Sequence, residues 1–248
     1  YNVFKNDKGS VWMLKYEQIA LDIQKKINNG QYLPNDQLPL EKEMCVQYNV
    51  SRITIKKAMD KLVMNGSVVK RRGAGTFVKD VDYDQITDIS TSKQFNGFSD
   101  SHKGEKVFSK IIDFKVINPS KEIANKLKME IDDFVYYICR IRYANDEPYV
   151  VEYTYMPIDV ISGIKKDILK GSIYKYIEEE LKLKIKSAHR TVRALVPNDL
   201  EKDALNMKEN MPILQIEQIA FLDNGQPFEY SKSSHRGDKF EFKSVIIK

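Results

Sequence analysis

The chain has 248 residues, 42% hydrophobic and 30% charged, the composition of a globular protein of one large or two ordinary domains. No apolar run approaches the about 18 residues a membrane helix needs, and the first residues lack the basic-apolar-small pattern of a secretory signal. The two cysteines and three histidines show no metal-ligand spacing, so a cytoplasmic protein with no metal, cofactor or membrane partner is expected. The net charge of +5 is unevenly placed: residues 1–80 hold 14 Lys and Arg against 8 Asp and Glu, the remainder 26 against 27. A basic first third joined to a near-neutral remainder is the electrostatic footprint of a module that meets a polyanion.

Ile19, Ile23 and Ile27 recur every four residues and Gly30 follows, which predicts a helix of about four turns closed by a glycine. "QYLPNDQLP" is turn chemistry and "LEKEMCVQY" a short helix. Asn49 can take the left-handed geometry that ends it, and Ser51 is a good N-cap for the next. In that third helix Ile55, Ala58, Met59 and Leu62 share the buried face. Ile53, Lys56, Lys57 and Asp60 then point outward, with Arg52 near the exposed N-terminal end.

Asn65-Gly66 ends the helix, and "SVVKRRGAGTFV" reads as two strands around a glycine-containing tip. Gly73-Ala74-Gly75 beside basic residues also suits a phosphate-binding loop. Such a loop follows a strand and starts a helix, however, and "TFV" after Gly75 is strand-like. Three helices and a hairpin, with cations on the last helix and the tip, make a winged helix-turn-helix. Arg52 suits bidentate reading of a guanine edge, and Thr54, Lys56 and Lys57 suit phosphate contacts. For the helix alone, a solvated basic face explains the pattern equally well; helix, wing and charge segregation together favour DNA.

The stretch "LPLEKEMCVQYNVSRITIKKAMDKLVMNGSVVKRRGAGTFV" resembles the DNA-binding domain of GntR-family bacterial transcription regulators over residues 13–78. That family carries a Leu-Pro-Ser-Glu-Arg-Glu-Leu segment, a Ser-Arg-x-Thr helix and a wing ending Gly-x-Gly-Thr-x-Val. The resemblance implies DNA contacts at Lys42, Ser51, Arg52, Thr54, Lys56, Arg72 and Gly73. Two residues depart from the pattern. Leu40 replaces the usual Ser, so a capping box with Glu43 loses its N-cap oxygen and the helix start weakens by about 1 kcal/mol unless Leu40 packs. Lys42 replaces the usual Arg, exchanging a bidentate fork for a point charge.

Residues 79–97 are polar without a clear period and read as a linker to a second domain over 98–248. There "PSKEIANKLKMEIDDFVYYICRIRYANDEPYVVEY" is echoed by "PNDLEKDALNMKENMPILQIEQIAFLDNGQPFEYS". Each run reads as a helix followed by a hairpin, so an α+β fold with an antiparallel sheet and packed helices is expected. Arg140 and Arg142 share one strand face: either a solvent-facing pair or a double cation for a phosphate or carboxylate. A three-residue turn at Asn145-Asp146-Glu147 places Glu152 opposite Arg140, whereas a two-residue turn places it opposite Cys139. A helix starting near Ser172 offers a hydroxyl and free N–H groups to an anion, although a plain N-cap is the commoner role of such a serine.

"RIRYANDEPYVVEYTYMP", "GSIYKYI" and "NGQPFEYSKSSHRGDKFEF" resemble the effector-binding UTRA domain of the HutC subfamily of GntR regulators, whose fold is similar to chorismate lyase. In relatives sensing amino-sugar phosphates, ligand contacts correspond to Phe98, Ser99, Arg140, Arg142, Glu152, Ser172, Tyr174, Glu229 and position 235. His235 stands here for the usual Tyr and is expected to make binding pH-sensitive. Both arginines, Ser172 and Ser99 are expected to hold the anion, and Glu152 and Glu229 the ligand body.

The function that follows is a homodimeric, DNA-binding transcription regulator, a repressor of a metabolic operon, controlled by a sugar phosphate, an amino-sugar phosphate or another small anion. Dimerisation comes from the resemblance. An architectural DNA binder and a lyase-like enzyme are the alternatives. Against the enzyme, no nucleophile-base pair or cofactor fingerprint is readable, and fold alone implies no activity.

Overall fold

The computed structural model describes residues 13–80, 98, 102, 104–208 and 210–242. They fall into two compact units that divide between Gln94 and Phe95; of the linker predicted at 79–97, residues 81–97 lie outside the described part.

In the first unit the isoleucine stripe becomes α1 (Lys15–Asn28), with Ile19, Ile23 and Ile27 buried. It ends at Asn29 and Gly30, whose φ of +73° a glycine adopts without steric cost. Helix α2 (Glu41–Tyr48) ends at Asn49 in left-handed geometry (φ 49°, ψ 55°). Helix α3 (Arg52–Met64) starts at Ser51, whose hydroxyl accepts the Thr54 N–H at 3.3 Å. Ile55, Ala58, Met59 and Leu62 are fully buried and complete a core with α1, Leu38, Met44, Val68 and Val78.

Leu40 does not pack: it is 51% exposed, and a leucine side chain accepts no hydrogen bond. Half of the capping box nevertheless survives, because Glu43 Oε2 accepts the Leu40 N–H at 2.8 Å. Strands β1 (Val68–Arg71) and β2 (Gly75–Val78) form the expected hairpin, Val68 opposite Val78 and Arg71 opposite Gly75. The preceding loop pairs with it through Leu38 N to Thr76 O and Val78 N to Asp36 O, both 2.9 Å. At the wing tip Gln37 Nε2 donates to Ala74 O at 2.8 Å. Gly75 (φ +119°) takes a backbone conformation that side chains rarely adopt, and a Cβ there would displace the Gln37 amide, standing 2.6 Å from its Nε2.

The second unit is an antiparallel six-stranded sheet in the order β3-β4-β5-β8-β7-β6. Its strands are β3 (Val107–Ile117), β4 (Val135–Ala144), β5 (Glu147–Pro157), β6 (Ile185–Leu195), β7 (Ile213–Leu222) and β8 (Pro227–Arg236). The doubled pattern in the sequence is real and longer than predicted, because β3 and β6 open the two halves. Each half runs strand, helix, hairpin, and the halves meet where β5 pairs with β8. Helix α4 (Lys121–Leu127), capped by Ser120, packs over β8. Helix α7 (Asp199–Ala204), capped reciprocally by Asn198 and Glu201, packs over β5. Between the halves lie α5 (Lys166–Leu169) and α6 (Ile173–Glu179), whose Leu169, Ile173 and Ile177 pack with Ile138, Met156 and Phe228.

The turn is the shorter of the two alternatives, yet Glu152 still stands opposite Arg140. Asn145 and Asp146 (φ +50° and +66°) form a two-residue turn, which alone would put Glu152 opposite Cys139. An extra residue, Tyr149, is bulged out between the pairs Tyr143–Pro148 and Arg142–Val150, and it brings Arg140 opposite Glu152.

Among the described residues no helix is long and apolar enough to cross a membrane, and no group of His, Cys, Asp or Glu is placed to hold a metal.

Candidate functional site

Two constellations carry chemistry, one in each unit. In the helical head, Ser51 and Thr54 pair their hydroxyls at 3.0 Å, which squares the first turn of α3. Arg52 opens that helix with 83% of its side chain exposed, and its Nε donates to Glu41 Oε2 at 3.3 Å. Lys56 and Lys57 follow on the exposed side, with Lys42 exposed on α2. On the wing, Arg72 and Gly73 sit exposed in the turn, while Arg71 stacks on Phe77 at 4.5 Å and Lys70 pairs with Asp60 at 2.7 Å. Among the described residues, Lys42, Lys56, Lys57 and Arg72 have no acidic partner. All eight predicted DNA-facing residues thus lie on α2, the start and outer face of α3, and the wing turn.

In the sheet unit, Arg140 and Arg142 are not solvent-facing: they are 6% and 2% exposed. Arg140 Nε donates to Glu152 Oε2 at 2.6 Å, and its Nη1 to the carbonyls of Leu169 and Gly171 at 3.0 and 3.1 Å. Arg142 Nη1 donates to the same Gly171 carbonyl at 3.1 Å, and the guanidinium lies over the Phe98 ring at 5.1 Å. Burial pushes the Arg142 guanidinium down to about 10, against the pull of Glu152. Burial pushes the Glu152 carboxyl up, but Arg140 and Arg142 outweigh it and the net shift is downward. Glu152 is therefore the counterion of the arginine pair.

Ser172 is the N-cap of α6, accepting the Lys175 N–H at 3.2 Å, in the segment whose carbonyls hold both arginines. Ser99 lies outside the described residues.

Glu229 and Tyr174 belong to a second cluster on the same sheet face. Gln218 Nε2 donates to Glu229 Oε1 at 3.0 Å and to the Tyr174 hydroxyl at 2.9 Å, and Ser231 donates to Glu229 at 2.7 Å. Arg190 Nε donates to Gln218 Oε1 at 2.5 Å. Burial raises the Glu229 carboxyl, as does the charge of Glu152; burial also raises Tyr174 and lowers Arg190. Sequence reasoning missed Arg190, Gln218 and Ser231. Their alignment across β6, β7 and β8 depends on pairing between strands far apart in the chain.

It also missed His102 and Tyr149. His102 stacks on Phe98 at 4.1 Å and meets the Tyr149 ring at 5.0 Å. Tyr149 reaches this group because it is the bulged residue.

The pH sensitivity expected of His235 does not fit its surroundings. Burial pushes the imidazole down to about 4, only partly countered by Glu152, so it is neutral near pH 7 and does not titrate there. It stacks on Phe240 at 4.1 Å.

The model for bacterial regulatory proteins of the gntR family matches residues 15–78, and the UTRA domain model matches residues 102–241. The chain is 40% identical over 238 residues to the HTH-type transcriptional regulator GmuR of Bacillus subtilis (strain 168), covering 95% of this chain and 100% of that protein. It is 30% identical over 231 residues to the mannosyl-D-glycerate transport/metabolism system repressor MngR of Escherichia coli (strain K12), covering 92% and 93%. The crystal structure of the possible transcriptional regulator YydK of Bacillus subtilis superposes with a TM-score of 0.75 at 32% identity, over 95% of this chain and 100% of that one.

Proposed function

This chain belongs to the GntR family of bacterial regulatory proteins and carries a UTRA domain behind its helix-turn-helix; from that premise we propose a homodimeric repressor whose hold on operator DNA is set by a small anionic sugar derivative. It is an HTH-type transcription regulator, as its relatives are. Each head would read half of a near-palindromic operator, with Arg52 on a guanine and Lys42, Lys56, Lys57, Thr54 and the wing turn on phosphates.

The observation that carries the effector reading is the pair of buried arginines sharing the Gly171 carbonyl beside Glu152. Two guanidinium groups kept out of water are expensive to maintain, and their forks match phosphate or carboxylate oxygens. A sugar phosphate or amino-sugar phosphate would place its anion at Arg140, Arg142, Ser99 and Ser172, in competition with the carbonyls that hold the arginines. Its body would meet Phe98, Tyr174, Glu229 and the neutral His235. A sugar carboxylate is the second reading, supported by the guanidinium fork's equal fit to it and by the name of the MngR relative.

A thermal-shift panel of sugar phosphates, amino-sugar phosphates, their unphosphorylated parents and sugar carboxylates separates the two. A ligand at about 100 times its Kd stabilises the fold by about 2.7 kcal/mol. A shift with phosphorylated members alone supports the first reading and with carboxylates alone the second; a panel without any shift refutes both. Because coupling is reciprocal, saturating operator DNA must change effector affinity.

A further inference from the structure

In the helical head one acidic residue stands against the cation expected to read a base. Glu41 is the first residue of α2, with its side chain only 29% exposed, and its Oε2 accepts from Arg52 Nε at 3.3 Å. A guanidinium tied through Nε leaves its two terminal nitrogens on the outer edge, and that edge matches guanine O6 and N7. Among the described residues, those two nitrogens of Arg52 have no hydrogen-bond partner.

The same carboxylate works against a different use of Arg52. A phosphate brought to this guanidinium also meets the Glu41 charge a few ångströms away, and like charges at that range repel. Lys42, Lys56 and Lys57, without acidic partners among the described residues, carry no such handicap. Lys70 repeats the arrangement on the wing, paired with Asp60 at 2.7 Å. We infer that Glu41 is a specificity-determining positioning residue, which holds Arg52 by Nε, presents its outer edge to a guanine and disfavours its use as a phosphate contact. The inference rests on the reading of Arg52 as a base contact.

The test uses the full chain at fixed salt with two duplexes: one that the chain itself enriches from a randomised pool, and a scrambled duplex of the same length. Glu41→Gln and Glu41→Asp are each expected to lower the affinity ratio between them about tenfold, within what one bidentate base contact discriminates. The aspartate keeps the charge but is one methylene too short for the contact, so it separates positioning from net charge. In both variants the loss on replacing the contacted G·C pair shrinks, and in an Arg52→Ala background neither change moves the ratio. If Glu41→Gln shifts both affinities by one factor while Glu41→Asp shifts neither, Glu41 is only a surface charge and the inference is overturned. If Arg52→Ala itself leaves the ratio unchanged, the base-contact reading fails and takes the inference with it.

Discussion

In the helical head the cations stand in water, Arg52 with 83% of its side chain exposed and Lys56, Lys57 and Arg72 exposed near it. In the sheet unit Arg140 and Arg142 are 6% and 2% exposed and lean on Glu152 and two backbone carbonyls. On the proposed reading, the difference follows from the size of the anion each would meet. A polyanion arrives with its own counterions, and exposed lysines gain by releasing them at little cost to the free protein. A small anion gives few contacts, so its cations must be held in place beforehand, and holding them out of water demands partners.

The sheet unit should therefore be the one damaged by losing a charge. Glu152→Ala leaves two buried guanidinium groups without their carboxylate, and a loss of about 3 kcal/mol in denaturant unfolding is expected; a loss below about 1 kcal/mol would mean that water screens the pair.

Acid should weaken the same unit in two steps. His235 is held near 4 in the fold against 6.5 for a free imidazole, so the unfolded chain binds the proton first. Its contribution is complete above about pH 6.5 and declines as pH falls toward about 4. Glu217 is held near 2 by Arg193, Lys126 and Tyr230, and its contribution is lost between about pH 4.5 and about 2. Glu229, raised by burial, acts in the opposite sense, so the comparison to make is between parent and variant. His235→Phe should narrow the drop in unfolding midpoint between about pH 7 and about pH 5, and an unchanged drop would remove the buried neutral imidazole from the account.

In the head, effects should be smaller and visible mainly on DNA. Arg52→Ala should cost about 1–3 kcal/mol on specific DNA if it reads a guanine, and little on random duplex. Ser51→Ala removes the cap on α3 and should lower head stability by about 1 kcal/mol, read as a melting shift without DNA. Lys57→Ala should weaken all duplexes alike and flatten the logarithmic salt slope by about one unit. A change in sequence preference there would move Lys57 from phosphate to base contact.

What the sequence by itself determined is mostly local. The α1 stripe, the Asn49 and Gly30 stops, the Ser51 cap and the outward side of α3 each depend on residues within a turn or two, where spacing is geometry. The wing was legible because a strand, not a helix, follows Gly75. The arginine pair on β4 was legible as sharing a face, since strand parity is also local.

The tertiary structure decided the rest. Whether that face was wet or buried depended on α5, α6 and the loop between them, which cover it. The bulge at Tyr149 reversed what the turn length alone would give. Arg190, Gln218, Ser231 and Glu229 came together only through the pairing of β6, β7 and β8, strands that no local period aligns. His235 lost its titration near neutrality for the same reason: desolvation belongs to the packed surroundings of a residue, and its neighbours in the chain do not supply it.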